Sequence, residues 1–223
     1  MKEGVKRRGS KAAQRREEIL DAALLCFREK GFHAASMSSI AKAFGMSAGH
    51  IYNYFNSKED IIGALVARWL KQYISETLIV AEKDPEIQKE RLYKIVYREL
   101  DKRINSGDKA LLFEIAAESL RNEKIARIIR SAEQEAAKYL TQQALERYQA
   151  LNREPPKDLV YRLAVGNAIF NGLCFLSISR SDLSLEALTP IVVQLLMNLD
   201  GFPIVAAEGS GSGHSPSPSG KGE

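Results

Sequence analysis

The stretch Ser36-Met37-Ser38-Ser39-Ile40-Ala41-Lys42-Ala43-Phe44-Gly45-Met46-Ser47-Ala48-Gly49-His50-Ile51-Tyr52-Asn53-Tyr54-Phe55-Asn56-Ser57-Lys58-Glu59 decides the fold. Its apolar spacing predicts two short helices, about 38–44 and 48–54, joined by a tight turn. Ser36 or Ser38 can cap the first helix by accepting from its free amides. Ile40 and Phe44, four apart, share a core-facing side, and Ala41 is small where two helices must touch. Gly45 stands where the turn needs a positive φ. Met46 plugs the turn, and Ser47 is placed to cap the second helix. Ile51 and Phe55 hold that helix to the body, leaving Ala48, Gly49, His50, Tyr52, Asn53 and Tyr54 largely exposed. Tyr52 and Tyr54 are two apart, so they cannot both face one core. Together these parts compose a helix-turn-helix, whose second helix reads base edges in the major groove of DNA mainly through its first residues.

Upstream, the pattern Ile19, Ala23, Cys26 and Phe27 predicts a helix over about 15–30, stopped by Gly31. Residues 1–14 read as a flexible basic arm. Residues 1–16 carry seven cations (Lys2, Lys6, Arg7, Arg8, Lys11, Arg15 and Arg16) against Glu3 alone, a net +6 in a chain of net +4. That places an electrostatic footprint for a polyanion beside the reading unit. Downstream, Ser57 caps a long helix, about 58–81, and Glu59 and Asp60 favour the positive end of its dipole. Further helices are predicted at about 86–105, 109–120, 122–150, 157–180 and 184–199, giving an all-α chain of about nine helices. The expected organisation is a DNA-binding module over 15–57, a linking helix, a larger helical domain over 82–203 and a disordered tail over 204–223.

The reading segment resembles the DNA-binding domain of the TetR/AcrR family of bacterial repressors. The likeness covers about Arg15 to Trp69 and includes Ile19-Leu20, Ala22-Ala23, Phe27, Gly31-Phe32, Ile40-Ala41, Gly45, Ser47, Gly49, Tyr52, Tyr54-Phe55 and Ser57-Lys58-Glu59. The remaining ~150 residues match in layout alone. The resemblance implies that Ser36, Ser47, Tyr52, Tyr54 and Lys58 bind phosphates, and that Ala48, Gly49 and Asn53 lie near base edges. His50 stands where the family commonly has threonine, so its role stays open between phosphate and base contact. In several members of this family such an arm reaches the phosphate backbone or the minor groove, and the resemblance implies the same for Arg7, Arg8, Lys11, Arg15 and Arg16. The implied function is a repressor on double-stranded DNA with a palindromic operator, released by a small-molecule effector. An activator or dual regulator of the same fold is the alternative.

For the effector pocket, aromatic or polar groups on otherwise apolar faces nominate Trp69, Tyr73, Tyr97, Phe113, Ala117, Tyr139, Gln143, Phe170, Asn171 and Cys174. Asn167 and Asn171, one turn apart on an apolar helix, must bond to partner chain, ligand or water. The last two helices are apolar almost all round, so one side needs a partner. This predicts a homodimer through Leu163, Gly166, Phe170, Leu188, Val192, Leu195 and Leu196.

Composition closes off other classes. A 45% hydrophobic, 27% charged chain of 223 residues suits a globular protein. The charged start predicts no secretory signal. No apolar run is expected to span a membrane, because 159–178 is broken by Arg162, Gly166, Asn167, Asn171 and Gly172. A cytoplasmic protein without a membrane partner is expected. Cys26 and Cys174 lie in apolar patterns and read as buried thiols. The histidines are His33, His50 and His214; with no nucleophile elbow, phosphate loop or zinc spacing, no enzyme activity, metal or cofactor is expected.

Overall fold

A computed structural model describes residues 2–76 and 84–199. The end of the linking helix and the 204–223 tail lie outside the described residues. Among those described, the chain is all helical: α1 Lys2–Ala34, α2 Met37–Phe44, α3 Ala48–Ile51, α4 Lys58–Glu76, α5 Pro85–Ile104, α6 Lys109–Glu118, α7 Glu123–Ala150, α8 Leu159–Ser179 and α9 Leu185–Asn198.

The punctuation residues act locally as their chemistry dictates. Gly31 breaks α1 with φ 75° and ψ 163°. Asp84 accepts from the amides of Glu86 and Ile87, with Pro85 at the first helical position of α5. Asn122 caps α7 through Lys124 and Ile125, and Ser184 caps α9 through Ala187. The structure differs at the start: α1 runs back to Lys2, where a flexible arm over 1–14 was expected. Lysine, arginine, alanine and glutamine are good helix formers, and no proline interrupts them.

Among the described residues, three apolar clusters hold the helices together. The largest joins Ile19, Phe27, Ile40, Ile51, Phe55, Ile61 and Leu65 of the N-terminal helices with Leu111 and Ile115 of α6 and Ile125 of α7. A second packs Leu92, Val96 and Leu100 of α5 against Val192, Val193 and Leu196 of α9. A small third one ties Ala144 and Tyr148 of α7 to Leu159 of α8. Polar contacts reinforce the seam between the N-terminal helices and the rest. Glu114 of α6 accepts from the Phe32 amide at 2.5 Å, Arg28 pairs with Asp108 at 2.5 Å, and Lys124 of α7 pairs with Asp60 of α4 at 2.6 Å.

Helix α8 runs unbroken through Arg162, Gly166, Asn167, Asn171 and Gly172; by length and composition alone it could cross a membrane, a test that the core helix of a globular protein also passes. One expectation about α8 and α9 needs correction: most of the expected dimer-interface residues face inward. Gly166, Val192 and Leu196 are buried, and Leu163, Phe170 and Leu188 are half-buried against the subunit's own clusters. Gly166 packs closely there: a Cβ would lie 3.2 Å from Leu196 Cδ2, which would have to give by a few tenths of an ångström. Of the seven, Leu195 is exposed, at 44%. The open apolar stripes are instead Tyr161, Val165, Phe175 and Ile178 on α8 and Ile191 and Leu195 on α9.

Candidate nucleic-acid interface and effector cavity

Helix α2 starts in a reciprocal cap. Ser36 Oγ accepts from the Ser39 amide at 3.1 Å, and Ser39 Oγ accepts from the Ser36 amide at 2.9 Å. It ends at Gly45, left-handed with φ 77°, and the Met46 amide closes the turn onto the Ala41 carbonyl at 2.9 Å. Fully buried Ile40 and Ile51, with Ala41 and Phe55, fix α2 and α3 against α1 and α4. The turn between the two helices is thereby rigid from both sides.

This frame turns the start of α3 outward. Ser47, Gly49, Tyr52 and Asn53 are exposed, Tyr52 at 52%. A Cβ on Gly49 would meet nothing within 4 Å, so its backbone borders open space. Ala48, His50 and Tyr54 are half-buried rather than largely exposed; Ala48 and Tyr54 pack on the first cluster, and the His50 and Tyr54 rings lie 5.7 Å apart. Helix α3 is regular only over Ala48–Ile51, shorter than the expected 48–54, and Tyr52 to Tyr54 continue as turn. Ser47 occupies the N-cap position without a side-chain cap bond, so its hydroxyl remains available.

The cations divide by what holds them. The Lys58 ammonium donates to the carbonyls of Phe32, His33 and Ala35, at 2.5, 3.3 and 2.9 Å, and sits 4.2 Å from the Phe32 ring. Lys58, from which a phosphate contact is expected, is thus engaged within the fold, where its three donors close the broken end of α1. Arg16 donates to the Tyr54 carbonyl at 2.7 Å and stacks over Phe55 at 4.1 Å, clamping α1 to the end of the reading unit. Arg15 pairs with Glu18 at 2.8 Å and lies over Phe44, yet its side chain stays 46% exposed. Lys42, exposed on α2, was not singled out from the sequence. Only its charge beside the turn could have nominated it.

A second site lies among α4, α5, α7, α8 and α9. A partly open cavity there is lined by apolar side chains, including Leu92, Val96, Leu140 and Phe170, and by Tyr73, Glu99, Arg103 and Asn167. Two of the ten nominated pocket residues, Tyr73 and Phe170, line it. Leu163, Gly166 and Leu196, expected between subunits, line it as well. Asn171 and Asn167 both accept from Arg103 through their Oδ1 atoms. Of the others, Trp69 packs on the first cluster and the Tyr97 hydroxyl reaches Glu186 at 3.4 Å. Phe113 stacks edge-on with Phe175, Ala117 is exposed, and Tyr139 donates to the Ile74 carbonyl. Gln143 bonds Glu146, and the buried Cys174 thiol donates to the Arg103 carbonyl at 3.2 Å, with burial pushing its pKa up. Glu99 and Arg103 went unnamed because their charges read as solvated helix faces; α5 turns them inward. Burial pushes the Glu99 carboxyl upward against the lowering pull of Arg103 and Arg98.

A capped helix, a glycine turn and an outward helix start define a helix-turn-helix DNA-binding protein. Residues 19–65 match the family model described as "Bacterial regulatory proteins, tetR family". Residues 19–65 thus carry this family's DNA-binding module, and the chain is similar to its transcriptional regulators. It is 28% identical over 140 residues to the regulator UidR of Escherichia coli strain K12, a match covering 60% of this chain and 66% of that protein. Among solved structures, Salmonella enterica GusR superposes with a TM-score of 0.68 at 25% identity, covering 82% of this chain and 94% of that one. The flavonoid-responsive regulator FrrA gives 0.61 at 27% identity, covering 84% and 96%.

Proposed function

We propose that this chain is a homodimeric repressor that binds a palindromic operator through two copies of the Ser36–Tyr54 surface and is released when a small molecule fills the α4–α9 cavity. The outward presentation of Ser47, Gly49, Tyr52 and Asn53 by a rigid turn carries the reading. Ser36, Ser47, Tyr52 and Tyr54 supply hydroxyls for phosphates, with Lys42 and Arg15 adding charge. Asn53 and the Ala48 methyl read base edges, Gly49 lets the backbone approach, and His50 sits between the two roles. The module over 15–57 reads, α4 links, and 84–199 senses.

The exposed stripes of α8 and α9 support a symmetric dimer, because a second copy would cover them and bring two α3 helices to one side of the duplex. The flavonoid response named for FrrA supports a small-molecule effector as the releasing signal. A ligand releases DNA only if it binds the incompetent spacing better than the competent one. The test is selection of duplexes by the full chain, followed by footprinting and sedimentation without detergent. A dimer protecting two half-sites one helical turn apart is expected, with affinity falling by roughly 0.9 log units per contacted phosphate for each tenfold rise in salt. A strictly monomeric particle, or binding indifferent to salt, overturns the proposal.

A further inference from the structure

The cavity contains a group that core packing does not require. Glu99 is 8% exposed and lines the cavity wall. Among the described residues no hydrogen-bond donor reaches its carboxyl; the nearest cation, Arg98 Nε, stands 3.8 Å away. Arg98 donates instead to the Glu76 carbonyl at 2.6 Å. Arg103 gives N–H groups to Asn167 and Asn171 while its guanidinium, which has five, also borders the cavity. The carboxyl oxygens thus keep lone pairs open toward the cavity, and Arg98 Nε beside them is a buried donor without a hydrogen-bond partner.

From this placement we infer that the cavity takes an apolar, uncharged molecule bearing a hydroxyl, an alcohol or a phenol, seated with that hydroxyl against Glu99. The inference rests on reading the cavity as the effector site and names its chemistry. A hydroxyl donates to the carboxyl and accepts from a spare Arg103 N–H in one step. A carboxylate ligand would meet Glu99 with like charge, and an ammonium would meet Arg98 and Arg103. The rest of the ligand faces Leu92, Val96, Leu140 and Phe170, which offer it no polar partner.

Calorimetric titration of the full chain, without DNA, with 1-naphthol, naphthalene, 1-naphthoic acid and 1-naphthylmethylamine tests this. 1-Naphthol is expected to bind about tenfold more tightly than naphthalene, the value of one hydrogen bond to a charged group. That advantage disappears in Glu99→Leu and shrinks in Glu99→Gln, whose matched shape guards against a folding failure. A naphthalene affinity equal to that of 1-naphthol overturns the inference. So does tighter binding of the acid or the amine, no binding by any of the four, or an undiminished preference in both variants. A 2-naphthol arm then compares phenols by position, and decahydro-1-naphthol against decahydronaphthalene compares alcohols with phenols; neither arm rescues the inference if 1-naphthol fails to outbind naphthalene. Tight 1-naphthol binding that leaves a DNA complex intact upholds the inference while defeating effector-triggered release.

Discussion

At the residue scale, the exposed Tyr52 and Asn53 and the committed Lys58 carry different work although they lie within seven positions. Tyr52→Phe removes one hydroxyl from an exposed ring, so affinity for every duplex should fall alike in competition anisotropy. Asn53→Ala should relax preference at particular base pairs, costing about 1–3 kcal/mol on the selected site and little elsewhere. Equal, sequence-blind losses in both variants would remove Asn53 from base reading. Lys58 belongs to stability instead. Lys58→Met strips three carbonyls of a charged donor, and the thermal midpoint should drop by an amount equivalent to about 1–3 kcal/mol. Binding per folded molecule should stay near normal; a large loss of affinity with an unchanged midpoint would return Lys58 to the phosphate contacts.

Between elements, the seam joining α4 to α7 has a pH signature. Lys124 bonds Asp60 at 2.6 Å and Ser57 Oγ at 3.0 Å, and this pairing, chiefly its hydrogen bond, holds the Asp60 carboxyl below its usual 3.8. A carboxylate lowered on folding stabilises above its unfolded value and loses that contribution as pH falls through the folded one. Wild-type stability should therefore decline more steeply than Asp60→Asn as pH drops below about 4. Parallel melting curves across that range would show that the pair contributes nothing. The elements themselves were largely legible in the sequence, because Gly31, Ser36, Gly45, Asp84-Pro85 and Asn122 act within a few residues of where they stand. What α8 faces was not. A helix apolar nearly all round gives no periodic sign of which side is core, so Gly166 and Leu196 were assigned outward when they line the cavity. The bonds from Arg103 to Asn167 and Asn171 join positions 64 and 68 apart, and only the packed fold brings them together.

Across the whole molecule, the two classes of apolar residue on α8 and α9 should separate cleanly. Val165→Asp, on a side chain 50% exposed, should yield a folded monomer with far weaker operator binding, seen by sedimentation and circular dichroism. Leu196→Ala, 1% exposed, should instead cost about 2–5 kcal/mol of fold stability. If Val165→Asp stays dimeric, the stripe is not the interface. The largest cluster has a different consequence for dissection. Leu111, Ile115 and Ile125 complete the interior of the reading head, so a fragment ending after α4 would expose the apolar ground they cover. Such a fragment should aggregate or melt early, and anything that tightens the C-terminal helices should raise the temperature at which the head lets go of its shape. Scissors cannot part reader from sensor here, since they share one keel.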